Sequence, residues 1–361
     1  MPSQPWAVTW RKALVSAPRL VPDAALRFLS PEGPQPIVIK LPSRGQHLIP
    51  VYVFVPPILD SSKSDVPNLP VLVDFHGGGF VLGTPQEQAS FCAKLCRELR
   101  CVAVSVDYRL GPYAQFPAAL EDAEDVINAI LEPTEPGHVA LRSSINEYLT
   151  KNKRAAVQLD HNRIALSGFS SGGNLALNLV MNMNSSATQL TEAWPCPFPS
   201  DYPSNIPVLM YYAAIDLRQL PSEREVVAGF HDAPKSFIAQ LELEQHLMPT
   251  YLPRDKITHS RASPALAEVR DQGLHSQARC LLLVAEKDSL TLQNEVWMRK
   301  ASAEGRGNHV FIQKYMGVPH GWTQFPDSWL DANALTTKYE AFDRGVEFVR
   351  GYWKPQVVGT T

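Results

Sequence analysis

The chain has 361 residues, 45% hydrophobic and 19% charged, with 33 Lys+Arg against 36 Asp+Glu for a formal net charge of −3. Such a length buries a large core, as one α/β domain with insertions or as two domains. Without a basic excess or a basic stripe, the charge argues against nucleic-acid binding and against a polybasic membrane anchor.

Taken in chain order, the opening residues hold no continuous apolar h-region, and no run approaches the ~18 apolar residues of a membrane span, so a cytoplasmic protein with no stable membrane insertion is expected. Ser3 can cap a first helix, with Pro5 in its first turn. Trp6, Trp10, Ala13 and Leu14 then form one apolar stripe. Short β-rich segments follow at Pro36–Lys40, Pro50–Val55, Pro70–Phe75, Val102–Asp107, Arg163–Ser167, Val208–Ala213, Cys280–Ala285 and Val310–Tyr315. Several are near-continuous Val/Leu/Ile/Ala runs, which suits a parallel sheet covered on both faces. Helical patterns are expected between and after them at Glu87–Leu99, Ala118–Leu131, Ser171–Met183, Thr291–Ala303 and Ala332–Tyr352. The alternation predicts an α/β sandwich. Two stretches break the rhythm, namely the first thirty-odd residues and Asp216–Pro264.

The five cysteines, Cys92, Cys96, Cys101, Cys196 and Cys280, form no CxxC pair and no disulfide framework. Cys92 and Cys96 share a helix face, but no nearby His or acid completes a metal set, so buried thiols are expected and no metal. The Asn184-Ser185-Ser186 acceptor is read as chance.

Three places carry chemistry. Gly168-Phe169-Ser170-Ser171-Gly172 follows a strand and opens a helix. A serine between glycines at such a turn is forced into a tight bend that exposes its hydroxyl at the sheet's carboxyl edge. The N–H of Ser171, at the helix start, can then meet a developing oxyanion. His76-Gly77-Gly78-Gly79-Phe80 ends a buried strand. Its glycines leave N–H groups unshielded and able to converge on one oxygen; a plain flexible turn is the bland alternative, and the pattern of a phosphate loop is missing. Downstream, one strand runs into Glu286-Lys287-Asp288, and the last strand is followed by His320 between Pro319 and Gly321. A nucleophilic serine needs a base and the base an anionic orienter, and the order Ser170, Asp288, His320 supplies both. Glu286 is the competing acid; Asp288 lies farther past the strand.

These motifs resemble the hormone-sensitive-lipase-like branch of the α/β-hydrolases, which includes bacterial and fungal esterases, arylacetamide deacetylase, and the plant carboxylesterase and gibberellin-receptor group. The resemblance runs from about Val71 to Trp322. It rests on HGGGF at His76–Phe80, DYRLGPYAQFPAALEDA at Asp107–Ala123, GFSSGG at Gly168–Gly173, SPALA at Ser263–Ala267, KDSL at Lys287–Leu290 and PHGW at Pro319–Trp322. It implies an α/β-hydrolase fold over the whole chain as one domain, with a mostly parallel eight-stranded sheet and a helical cap built from residues 1–34 and about 216–262. It further implies a Ser170/Asp288/His320 triad and an oxyanion hole from the N–H groups of Gly78, Gly79 and Ser171. His76 and Asp107, the latter paired with Tyr108, would be structural supports of the glycine loop. Phe169 departs from the pattern, since many members hold Asp there, and so does Ser171, where Ala is usual.

The expected activity is cofactor-independent hydrolysis of small-molecule carboxylic esters with small or medium acyl and alcohol groups. A lactone-opening, eliminating or acyl-transferring enzyme on the same triad is the alternative. A ligand-binding protein of the same fold is a second, although the gibberellin-receptor group lacks the triad histidine that this chain keeps. Cap aromatics such as Trp6, Trp10, Phe230 and Phe237 are expected to shape the substrate pocket, and a homodimer is compatible with the sequence.

Overall fold

A computed structural model describes residues 32–57, 66–183, 193–224 and 243–353. The expected N-terminal helix with Trp6 and Trp10, the cap aromatics Phe230 and Phe237, and the Asn184 acceptor lie outside the described residues.

All eight expected strands are present. They are β1 (Ile37–Pro42), β2 (Leu48–Phe54), β3 (Asn68–Phe75), β4 (Val102–Val106), β5 (Gln158–Phe169), β6 (Ile206–Tyr211), β7 (Ala278–Lys287) and β8 (Val310–Pro319). They form one sheet in the order β1-β2-β4-β3-β5-β6-β7-β8. β1 and β2 pair antiparallel, and β2 runs antiparallel to β4. Every pairing from β4 across to β8 is parallel. The central strands carry apolar residues continuously because both faces are covered: β4 and β6 are buried at every position, and β3 at all but its first.

One face is covered by α1 (Ala89–Leu99) and α7 (Ala332–Trp353), where Phe91, Phe169, Tyr211, Phe342 and Trp322 share a core. The other face lies under α2 (Ala118–Leu131), α3 (Pro136–Lys151), α4 (Ser171–Asn178) and α6 (Thr291–Ala303), with Val73, Leu166, Leu175, Ile127 and Trp297 inside.

Three differences from the sequence reading have identifiable causes. Helix α3 was not anticipated: only Leu141, Ile145 and Leu149 mark its buried stripe, and the polar residues between them mask the period. Helix α4 stops at Asn178 instead of reaching Met183. Val180 N–H and Met181 N–H reach back only three residues, to Leu177 O and Asn178 O, and Asn182 N–H is captured by Gly273 O at 2.7 Å. Strand β5 begins five residues before Arg163, because Gln158 and Leu159 already pair with Asn68 and Leu69 of β3.

After β6 the described chain leaves the sheet, and its path back to β7 includes α5 (Leu243–Tyr251). Tyr251 stacks face to face on Phe80, with ring centroids 4.6 Å apart, and its carbonyl accepts a 2.9 Å bond from Phe116 N–H. The end of α5 therefore rests on the residue that follows the three glycines.

Candidate active site

Ser170 is the hinge between β5 and α4. Its φ of 52° and ψ of −113° are unusual for a residue with a side chain. The bend is held by Ser170 N–H donating to Tyr211 O at 2.9 Å and by Ala214 N–H donating to Ser170 O at 3.0 Å. The small neighbours are obligatory: a Cβ on Gly172 would stand 2.0 Å from Phe75 O and 2.5 Å from His76 O. The first turn of α4 is thereby pressed against the end of β3, where the glycine loop begins. Ser171 N–H belongs to the donors that a helix start leaves without an intrahelical acceptor.

At the loop itself, Gly78 has φ +114° and a Cβ there would lie 2.1 Å from Leu82 O, so only glycine is admitted. Gly78 O accepts from Val81 N–H at 3.1 Å and Leu82 N–H at 2.9 Å, closing a turn. His76 is fully buried and its Nδ1 donates to Gly77 O at 2.7 Å. Tyr108 stacks on the imidazole at 4.3 Å and donates to His76 O at 2.8 Å. Tyr108 Oη also lies 3.3 Å from Ser171 Oγ. One phenol thus ties the glycine loop to the start of α4. Asp107, the other residue of the expected structural pair, sits just past β4 with its N–H bonded to Pro50 O at 3.0 Å.

His320 stands just past β8, with Nε2 3.1 Å from Ser170 Oγ and Nδ1 2.8 Å from Asp288 Oδ2. A carboxylate only accepts, so Nδ1 carries the proton and Nε2 offers its lone pair to the serine hydroxyl. Asp288 is buried, and its second oxygen accepts from Leu290 N–H at 2.9 Å. The rival acid, Glu286, turns away and accepts from Gly317 N–H at 2.8 Å. Tyr212 presents its ring edge-on to the imidazole at 4.8 Å and shares a 2.6 Å hydroxyl contact with Thr323.

Sequence reasoning missed a buried acid. Asp74 of β3 is fully buried, in register with Ser105 of β4 and Ser167 of β5. Ser105 Oγ donates to it at 2.8 Å and Ser167 Oγ at 2.7 Å. Burial pushes its carboxyl up to about 6, with the serine bonds working the other way. An acid inside the apolar run PVLVDF was the available signal.

Among the described residues no group of three or more His, Cys, Asp or Glu could hold a metal ion, and no helix is long and apolar enough to cross a membrane. Cys92, Cys96, Cys101 and Cys280 are buried free thiols, and Cys196 is half-buried.

A serine on a strand-to-helix bend, facing a histidine–carboxylate pair at the carboxyl edge of a mostly parallel sheet, is the architecture of an α/β hydrolase. Comparison with known proteins agrees. The chain belongs to the α/β-hydrolase fold family, which matches residues 72–324. It is 26% identical over 284 residues to an ethyl acetate hydrolase of Pseudomonas putida, covering 78% of this chain and 74% of that protein. Over 135 residues it is 38% identical to probable carboxylesterase 6 of Arabidopsis thaliana, covering 37% of this chain and only 35% of the plant protein's length. A thermostable carboxylesterase cloned from a metagenomic library shares the fold with a TM-score of 0.64 at 23% identity, covering 96% of this chain and 98% of that one.

Proposed function

We propose that the protein is a serine esterase that hydrolyses carboxylic esters of small or medium acyl and alcohol groups through an acyl-enzyme. The observation that carries this reading is the continuous chain Asp288–His320–Ser170, with contacts of 2.8 and 3.1 Å. In the first half-reaction, Ser170 Oγ attacks the ester carbonyl while its proton passes to His320 Nε2. Asp288 keeps Nδ1 protonated and balances the imidazolium. The N–H groups of Gly78, Gly79 and Ser171 receive the oxyanion, and the start of α4 adds its positive end. His320 then gives the proton to the leaving alcohol. Water repeats the sequence on the acyl-enzyme and frees the acid.

The name of the Pseudomonas relative, an ethyl acetate hydrolase, favours a small acyl group. Residues 1–34 and about 216–262 are proposed as the cap that shapes the pocket, with Trp6 and Trp10 as its apolar roof. The test is labelling with a fluorophosphonate beside turnover of p-nitrophenyl esters of rising acyl length, a lactone and an amide. Ser170→Ala is expected to lose label and activity together, by a factor of ~10⁴–10⁶ in kcat. An alanine variant that keeps ester turnover within about tenfold of the parent, far inside that range, would sink the reading.

A further inference from the structure

The oxyanion loop and the histidine loop leave the sheet from β3 and β8, with β5, β6 and β7 between those strands. Their spacing decides whether base and oxyanion donors address the same carbonyl, and such sites tolerate errors of only about 0.5 Å. One side chain joins the two loops. A Cβ on Gly77 would lie 3.1 Å from Gln324 Nε2, 3.4 Å from Gln324 Oε1 and 3.2 Å from Phe169 O. The loop's first glycine is therefore packed between the residue that precedes the nucleophile and the amide of Gln324.

Gln324 is itself held in place. Its N–H donates to Gly321 O at 2.9 Å, closing the turn directly after His320. The preceding Thr323 is pinned by its 2.6 Å contact with Tyr212 Oη, and Trp322 is fully buried. The amide thus extends from the turn that directly follows His320. Its Nε2 is buried without a hydrogen-bond partner among the described residues, an arrangement that costs stability and calls for a local reason. No hydrogen bond among the described residues holds Nε2, which instead lies against the position of Gly77.

We propose that Gln324 is a positioning residue whose side chain acts as a spacer, fixing the distance between His320 and the oxyanion donors Gly78 and Gly79. The proposal rests on the esterase reading above and deepens it. A spacer works through volume, so the substitutions divide cleanly: Gln324→Ala removes the volume, while Gln324→Met keeps it and removes the amide. Removal of one oxyanion donor costs ~10²–10³ in kcat, so a loop left unsupported but intact should cost ~10–100-fold.

The experiment is steady-state kinetics on p-nitrophenyl acetate, with melting temperature recorded for each protein. Gln324→Ala is expected to lose ~10–100-fold in kcat with KM within about twofold, because the interaction is made in the transition state. Gln324→Met is expected to recover kcat to within about threefold of the parent, as a volume-conserving exchange. Three results would overturn the proposal: Gln324→Ala with parental kcat; Gln324→Met as impaired as Gln324→Ala at an unchanged melting temperature; or a rise in KM with kcat intact. If Gln324→Ala fails to fold, the methionine variant alone decides. If Ser170→Ala abolishes turnover while Gln324→Ala is parental, the esterase reading stands and only the spacer falls. A parent protein that hydrolyses no ester removes both.

Discussion

Asp74 offers a quantitative test of how the core beneath the site is built. Its carboxyl is fully buried on the sheet face covered by α1 and α7, with Ser105 and Ser167 donating to its two oxygens. The Cys92 thiol adds a further bond, while burial still raises the carboxyl from 3.8 to about 6. The folded state therefore holds its proton more tightly than the unfolded chain does. Stability from this group is fully present below the unfolded value and is lost as pH rises through the folded value near 6. A shift of about two units corresponds to about 3 kcal/mol in all, of which roughly half is lost between pH 5 and pH 8. In Asp74→Asn the amide oxygen can accept from one serine and the amide nitrogen donate to the other, and no charge is buried at any pH. Urea denaturation of parent and variant at pH 5, 6, 7 and 8 should show the variant gaining on the parent by on the order of 1 kcal/mol across that range. Any constant cost of the exchange cancels in this comparison. A difference that does not change with pH would refute the reasoning and mean that the serine and thiol bonds outweigh the burial.

Three further outcomes follow from named contacts. Asp288→Asn should lower kcat by roughly 10⁴ by favouring the wrong His320 tautomer, while Glu286→Gln, whose amide oxygen can still accept from Gly317 N–H, should leave the rate near parental; kinetics with the opposite ranking would move the orienter to Glu286. Gly172→Ala places a methyl 2.0 Å from the backbone of Phe75 and should unfold the turn or abolish activity, whereas Gly305→Ala meets no atom within 4 Å at φ +79° and should cost only about 1 kcal/mol of backbone strain, measured by thermal melts of the two. A chain lacking residues 1–18 should show KM rising more for longer acyl chains if Trp6 and Trp10 roof the pocket; a lowered melting temperature with an unchanged chain-length profile would make the segment a brace.

The sheet was legible because its strands are apolar on both faces: the runs at Pro70–Phe75 and Val102–Asp107 needed no periodicity analysis. The helices were legible where apolar residues recur densely at helical spacing. In α2 the positions Leu120, Ala123, Ile127 and Ile130 are all buried and form a stripe. In α3 only one residue per turn is apolar enough to show, and the pattern fades into its polar surroundings. Strand order and helix ends stayed out of reach for a different reason. They depend on contacts distant in the chain, such as Asn182 N–H on Gly273 O, which no local window contains.

At the site, the glycines and the chain order did what local patterns can do. They pointed to Ser170, Asp288 and His320, although Ser170 and His320 are 150 residues apart. What they could not supply is the layer beneath. Phe169, the residue that departs from the family pattern, stacks on Tyr211 at 4.5 Å and meets Phe91 edge-on at 5.0 Å. Side chains alternate along β5, so Ser167 shares this face with Phe169. Its hydroxyl reaches Asp74, which in turn pairs in register with Ser105. The polar row therefore lies next to an aromatic cluster, and the same burial that lets Phe169 stack raises the Asp74 carboxyl. An aromatic residue before the nucleophile and an acid in the middle of an apolar strand look like two unrelated exceptions in the sequence. In the structure they are neighbours on one side of the sheet, at the carboxyl ends of β3 and β5 where the glycine loop and the Ser170 bend begin.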